Sequence, residues 1–121
     1  MSKPMSEFER MIEESVARFE QAIRGPDSHE HSFILVDDDR MLALGMQAEA
    51  GVLTMRMICL RADLQGVAFL PETKAAIYAL AWNDEHPKSR VTAVPWRAAL
   101  AGRIRVLKAM LLELDGFEAE S

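Results

Sequence analysis

The sequence holds one cysteine, Cys59, so no intrachain disulfide can form and nothing in it points to an oxidising compartment. No uncharged apolar run approaches the ~18 residues that a membrane span requires. The first residues, Met1 to Glu7, lead into a charged amphipathic segment and lack the apolar core of a signal peptide, which makes the cytoplasm the expected location and excludes a membrane partner. Basic residues are in the minority: 14 against 19 acidic ones, a formal charge of −5. That balance repels a phosphate backbone, so nucleic acid is not the expected partner. There is no internal repeat and no low-complexity segment. No serine sits in a nucleophile elbow, no glycine-rich loop follows a strand, and no two carboxylates share an apolar setting that would raise one pKa. No catalytic residue is assigned and no cofactor is expected.

What remains is an ordinary globular chain. Its 121 residues are 50% apolar and 27% charged, a balance that argues against disorder. A chain of this size buries about two thirds of its unfolded surface and needs neither metal nor disulfide to fold. It is read as one domain, 1–121, with residues 1–5 and 118–121 expected to fray.

The central stretch, Ser32 to Leu60, is the most continuously apolar part. Before it, Ser6 and Glu9 form a capping box, and Phe8, Ile12, Val16, Phe19 and Ile23 then recur at helical spacing. Glu14 with Arg18 and Glu20 with Arg24 are pairs four apart, favourably ordered on the outer side. Gly25-Pro26 should end this helix, with glycine in a left-handed conformation. Ser32 to Val36 reads as a strand, Asp37-Asp38-Asp39 as a turn, and Leu42, Leu44 and Met46 as the alternating face of a second strand. Val52 to Leu64 fits both periods: Leu53, Met55, Met57 and Cys59 suit a strand, whereas Leu53, Met57, Leu60 and Leu64 suit a helix. The strand reading makes Glu49-Ala50-Gly51 a second hairpin turn. Pro71 introduces a helix over Glu72 to Asn83 that is apolar nearly all round, and therefore either central or covered by a partner. Ser89 to Val94 can form a short last strand. Pro95 opens a final helix carrying Trp96, Leu100, Ile104, Leu107, Leu111 and Leu114, which Gly116 is expected to end. The predicted fold is α+β in the order α–β–β–β–α–β–α, a small antiparallel meander of three to four strands covered by N- and C-terminal amphipathic helices.

Three patterns could carry chemistry. Ile34-Leu35-Val36-Asp37-Asp38-Asp39 resembles the opening of response-regulator receiver domains, a resemblance that implies magnesium held by carboxylates at a strand's end. The rest of that pattern is missing, because a whole helix precedes the strand and Asp63 and Lys88 do not stand where a phosphoacceptor and its lysine belong. A solvated hairpin turn explains the same residues. His29 and His31, two apart and close to Asp37, Asp38 and Asp39, form a possible metal set for which no further ligand is evident; exposed connector histidines are the other reading. Cys59 among Met57, Ile58 and Leu60 reads as a small buried hydrophobe.

Charge asymmetry is more informative. Arg97, Arg103, Arg105 and Lys108 lie on the last helix, while Glu7, Glu9, Glu13, Glu14 and Glu20 lie on the first. Either the basic helix offers a surface to an acidic partner, or it meets the acidic helix of its own or a second subunit. Eight methionines, with Met41, Met46, Met55 and Met57 in the central stretch, suit a core or a surface that re-packs against partners. Tyr78, Trp82 and Trp96 complete a candidate self-association patch. The expected function is a non-catalytic protein-binding or adaptor module, homodimeric. In size, acidity and a C-terminal amphipathic helix it is similar to the small chaperones of bacterial secretion systems, a likeness of gross features that assigns no residue a role. The alternatives are a small metal- or phosphate-dependent enzyme or receiver-like domain using Asp37 to Asp39, and a domain whose surface encodes only its dimerisation.

Overall fold

In the computed structural model of the chain the described residues are 6–25 and 32–120, with side chains of the last helix described as far as Leu114. The elements follow in the order α1 (Glu7–Arg24), β1 (Phe33–Asp37), β2 (Leu42–Glu49), β3 (Val52–Cys59), α2 (Glu72–Glu85), β4 (Val91–Pro95) and α3 (Trp96–Glu120). The expected α+β architecture and order are thus present, with one antiparallel sheet in the order β3-β2-β1-β4.

Sheet alternation divides the core in two. Ile34 and Val36 of β1, Ala43 of β2 and Val94 of β4 turn to one face, where α1 contributes Ile12, Val16 and Phe19 and α3 contributes Trp96, Leu100, Ile104 and Leu107. Leu35, Leu44 and Val91 turn to the other, where they meet Ala75, Ala79 and Trp82 of α2. The layers are therefore a helix pair, a sheet and a single helix, and α2 closes a face that the terminal helices cannot reach.

Several local expectations are met and two are corrected. Ser6 caps α1, its Oγ accepting from the Glu9 N–H at 3.1 Å. Gly25 does follow α1, yet at φ −68° and ψ 162° it is extended rather than left-handed, and its N–H closes the helix on the Ala22 carbonyl at 3.1 Å. An extended exit suits a residue that precedes proline, since the ring excludes the helical region there. Gly116 does not end α3, which continues to Glu120. Glycine lowers helix stability by about 1 kcal/mol but cannot by itself stop a helix. Residues 1–5 and 121, for which fraying is expected, lie outside the described residues, as do the side chains of 118–120.

Val52 to Cys59 is a strand, and the β2–β3 register explains why the strand period prevails: eight consecutive pairs run from Leu42↔Cys59 to Glu49↔Val52. The hairpin is closed by Ala50 and Gly51, at φ 52° and 79°. Two positive φ values in a two-residue loop are the type I′ geometry whose twist matches the strands, and glycine supplies the second without strain.

β1 and β2 share one register pair, Val36↔Ala43, and then diverge. The chain from Val67 to Leu70 fills the resulting wedge: the Ala68 N–H donates to the Leu44 carbonyl at 3.0 Å, and Phe33 and Leu70 exchange backbone bonds at 3.0 and 2.8 Å. Beyond that wedge, residues 46–56 of the β2–β3 hairpin stand exposed on both faces as a two-stranded arm.

Candidate functional site

The aromatic residues singled out from sequence do not meet. Trp82 is buried on the α2 side, where its Nε1–H donates to the Ser89 carbonyl at 2.7 Å and its ring stacks on His86 with centroids 3.9 Å apart. Tyr78 is half-buried against the same cluster. Trp96 lies in the opposite core, beneath α1. The sheet separates them, so the three form no common patch on one protomer.

The basic residues of α3 divide by turn of the helix. The Arg97 guanidinium donates to the carbonyls of Ile23 and Gly25 at 2.9 and 2.8 Å and lies 4.8 Å from the Trp96 ring centre, so it ties down the C-terminus of α1. Lys108 pairs with Glu20 of α1 at 3.6 Å, and α1 packs against α3. The acidic and basic helices of one chain therefore meet at this point. Arg105 is exposed and borders a small cleft of about 290 Å³ with Asp38, Asp39, Arg40 and Gly102. Arg103 is half-buried: its Nη1–H donates to the Met41 carbonyl at 3.4 Å and touches the Met41 Sδ, and its guanidinium stands 5.7 Å from the Phe19 ring centre.

Asp37 closes its own turn. Its Oδ1 accepts from the N–H groups of Met41 and Leu42 at 2.9 and 3.3 Å, which is the local backbone bonding that favours aspartate in turns. Asp38 and Asp39 are exposed. His29 and His31 lie outside the described residues. Among the described residues no three His, Cys, Asp or Glu side chains come together as a metal set, and no helix is long and apolar enough to cross a membrane.

Two surface features stand out that sequence reasoning did not assemble. The first is the outer side of β3, an eight-residue edge strand, where Val52 and Leu53 are 61% and 66% exposed and Met55 and Met46 of the same arm are also uncovered. The β3 edge has little of what blunts a sheet edge: it is long, holds no proline and no lysine, and carries one charged residue, Arg56. The opposite edge is guarded. β4 is short, ends in Pro95, and has the outward N–H and C=O of Val91 bonded to the Asn83 amide at 2.7 and 3.0 Å. The outer side of α2 adds Ile77 and Leu80, both exposed.

The second is a cleft of about 480 Å³ between α1 and the segment that leaves β3. Phe19 and Leu60 lie buried beneath it, and three arginines reach it from separate elements: Arg18 from α1, Arg61 from the loop and Arg103 from α3. Asp63 is the only acid among its lining residues, and it lies 3.6 Å from Arg61 in an exposed pair. Contrary to the helix pairing expected from sequence, no ion pair joins Glu14 to Arg18 among the described residues, whereas Glu20 and Arg24 do pair at 3.8 Å. Cys59, expected as a small buried hydrophobe, is instead exposed, because it ends the edge strand β3, and it lines the same cleft.

No protein-family model matches the chain, and no curated protein and no solved structure is significantly similar to it.

Proposed function

We propose that this chain is a non-catalytic protein-binding module that works as a homodimer, assembled by antiparallel pairing of β3 with β3 of a second copy. The observation that carries the reading is the contrast between the two sheet edges: β4 is short and capped by Asn83, whereas β3 presents eight residues with uncovered Val52, Leu53 and Met55. An unprotected strand edge is a template for another strand. The same strand about a two-fold axis is a self-complementary occupant, since each copy supplies both the template and the added strand. The arm itself argues in the same direction, because a two-stranded ribbon exposed on both faces is only marginally stable in water and gains from further strands. Met46 and Met55 give that surface side chains able to adapt to a partner. With β3 occupied, the exposed Ile77 and Leu80 of α2 remain as apolar surface for another protein, alongside Phe8 and Met11 of α1 and Leu112 of α3.

The test is light scattering over a range of concentrations for the native chain and for Leu53→Lys and Met55→Lys. These positions are exposed in the protomer, so both variants should keep the native circular dichroism spectrum. The native chain should show twice the protomer mass of 13.6 kDa and the variants the protomer mass. A native chain that stays monomeric, or folded variants that dimerise as well as it does, would refute the assembly.

A further inference from the structure

We infer that the cleft between α1 and the end of β3 binds a carboxylate carried on a short apolar stem. Three guanidinium groups converge on it from α1, the 60–66 loop and α3 in a chain whose net charge is −5. Chance clustering on an acidic surface would bring carboxylates with them, yet Asp63 alone accompanies them, in an exposed pair that water screens. Arg103 is the most demanding of the three. Its Nη1 is occupied by the carbonyl and sulfur of Met41, its Nε is buried without a hydrogen-bond partner, and its Nη2, whose nearest partner is the Cys59 sulfur at 3.9 Å, is the nitrogen left for a ligand. No carboxylate pairs with it among the described residues. A half-buried guanidinium whose Nη2 has only a weak sulfur acceptor gains from an anion placed at that nitrogen. Arg18, which makes no ion pair with Glu14, lines the same space and can supply a second cation. Phe19 and Leu60 are buried beneath the cleft, Ala22, Cys59 and Ala62 are the apolar groups open to it, and about 480 Å³ is ample for a chain of several carbons. A bare inorganic anion would meet the arginines and leave Ala22, Cys59 and Ala62 uncovered, so an amphiphilic carboxylate is the ligand class the cleft fits.

The single cysteine provides the readout, because Cys59 lines the cleft and alkylation at one site is unambiguous by mass spectrometry. Octanoate is the first probe, with octanol, acetate and inorganic phosphate as controls, and an apolar tripeptide with free or amidated C-terminus tests whether a chain end serves as the carboxylate source. Titration calorimetry on the full chain should give saturable octanoate binding, and octanoate but not octanol should slow iodoacetamide alkylation of Cys59 severalfold. Arg18→Ala, an exposed substitution, and Arg103→Gln should each weaken octanoate binding about tenfold, the loss expected for one charged hydrogen-bonding group. Arg103→Lys retains charge without the planar fork and should restore part of the affinity lost in Arg103→Gln. Binding of the free but not the amidated tripeptide would assign the site to a peptide terminus, and binding of octanoate alone to a small amphiphile; either outcome supports the inference. Absence of saturable binding by any of the carboxylates, equal binding of octanol, or binding indifferent to both arginine substitutions would overturn it. Cys59 ends β3, so the alkylation is repeated in Leu53→Lys, which should be monomeric; octanoate protection that persists there separates the cleft from the β3 pairing.

Discussion

Replacing Arg97 by alanine separates two roles for a residue that the sequence alone offers as a partner-binding cation. Its guanidinium donates to two carbonyls at the end of α1, Ile23 and Gly25, at 2.9 and 2.8 Å. The last carbonyls of a helix have no partner within it, and a cation there also complements the helix dipole. Each charge-assisted bond contributes about 1–1.5 kcal/mol net, and the guanidinium over the Trp96 ring adds about 0.5 kcal/mol, so truncation should cost about 3 kcal/mol. For a chain of this length that is a fall in Tm of about 10 °C. Urea unfolding followed by the fluorescence of Trp82 and Trp96, both buried, reads the change directly. Arg105→Ala is the control, since Arg105 is exposed with no hydrogen bond or ion pair among the described residues, and should change stability by less than about 0.5 kcal/mol. Arg97→Lys should recover roughly half of the loss, because one ammonium cannot span both carbonyls as a planar fork does. If Arg97→Ala is no more destabilising than Arg105→Ala, Arg97 does not anchor α1 and the reading of α3 as an internal clamp is wrong.

Gly45→Ala should destabilise by about 1–3 kcal/mol, because a Cβ there would stand 2.7 Å from the Ile58 Cδ1 and 2.8 Å from the Gly66 carbonyl oxygen; denaturant midpoints compared with Ala48→Gly on the exposed arm check it. Asn83→Ala should cost about 2 kcal/mol by removing both bonds to Val91, and hydrogen exchange should show faster exchange of the Val91 amide in particular.

Helices and the order of elements along the chain were readable because local rules and global packing agree on them: the Ser6 cap, the 3.6-residue period of Ile12, Val16 and Phe19, and the turn chemistry of the acidic triplet all point one way, whereas the place of β4 beside β1 was not. The stretch Val52 to Leu64 was ambiguous for a physical reason. Methionine and leucine satisfy both periods, and only the pairing with β2, a contact absent from the local sequence, selects the strand. The site was less legible still. Trp82 and Trp96 look alike as interface aromatics, but alternation along β1 sends their partners Leu35 and Ile34 to opposite faces, and so buries them apart. The basic character of α3 was visible, whereas the partners that occupy Arg97 and Lys108 come from α1, some 70 to 90 residues away in the chain. The cleft escaped notice because its three arginines come from distant segments and share no spacing. The β3 edge left one usable signal, an alternating strand without lysine or proline, which acquires meaning only once its place in the sheet order is known.

The wedge formed by Val67 to Leu70 has a mechanical consequence. Because β1 and β2 share a single register pair, the sheet is in effect two ribbons, β4–β1 and β2–β3, stitched by the backbone bonds of the intruding segment to Phe33 on one side and Leu44 on the other. Bending stress on the arm is transmitted to that stitch, not spread over a long ladder. The loop from Leu60 to Gly66 runs from the cleft to the stitch, so one short segment joins the cleft wall to the base of the arm.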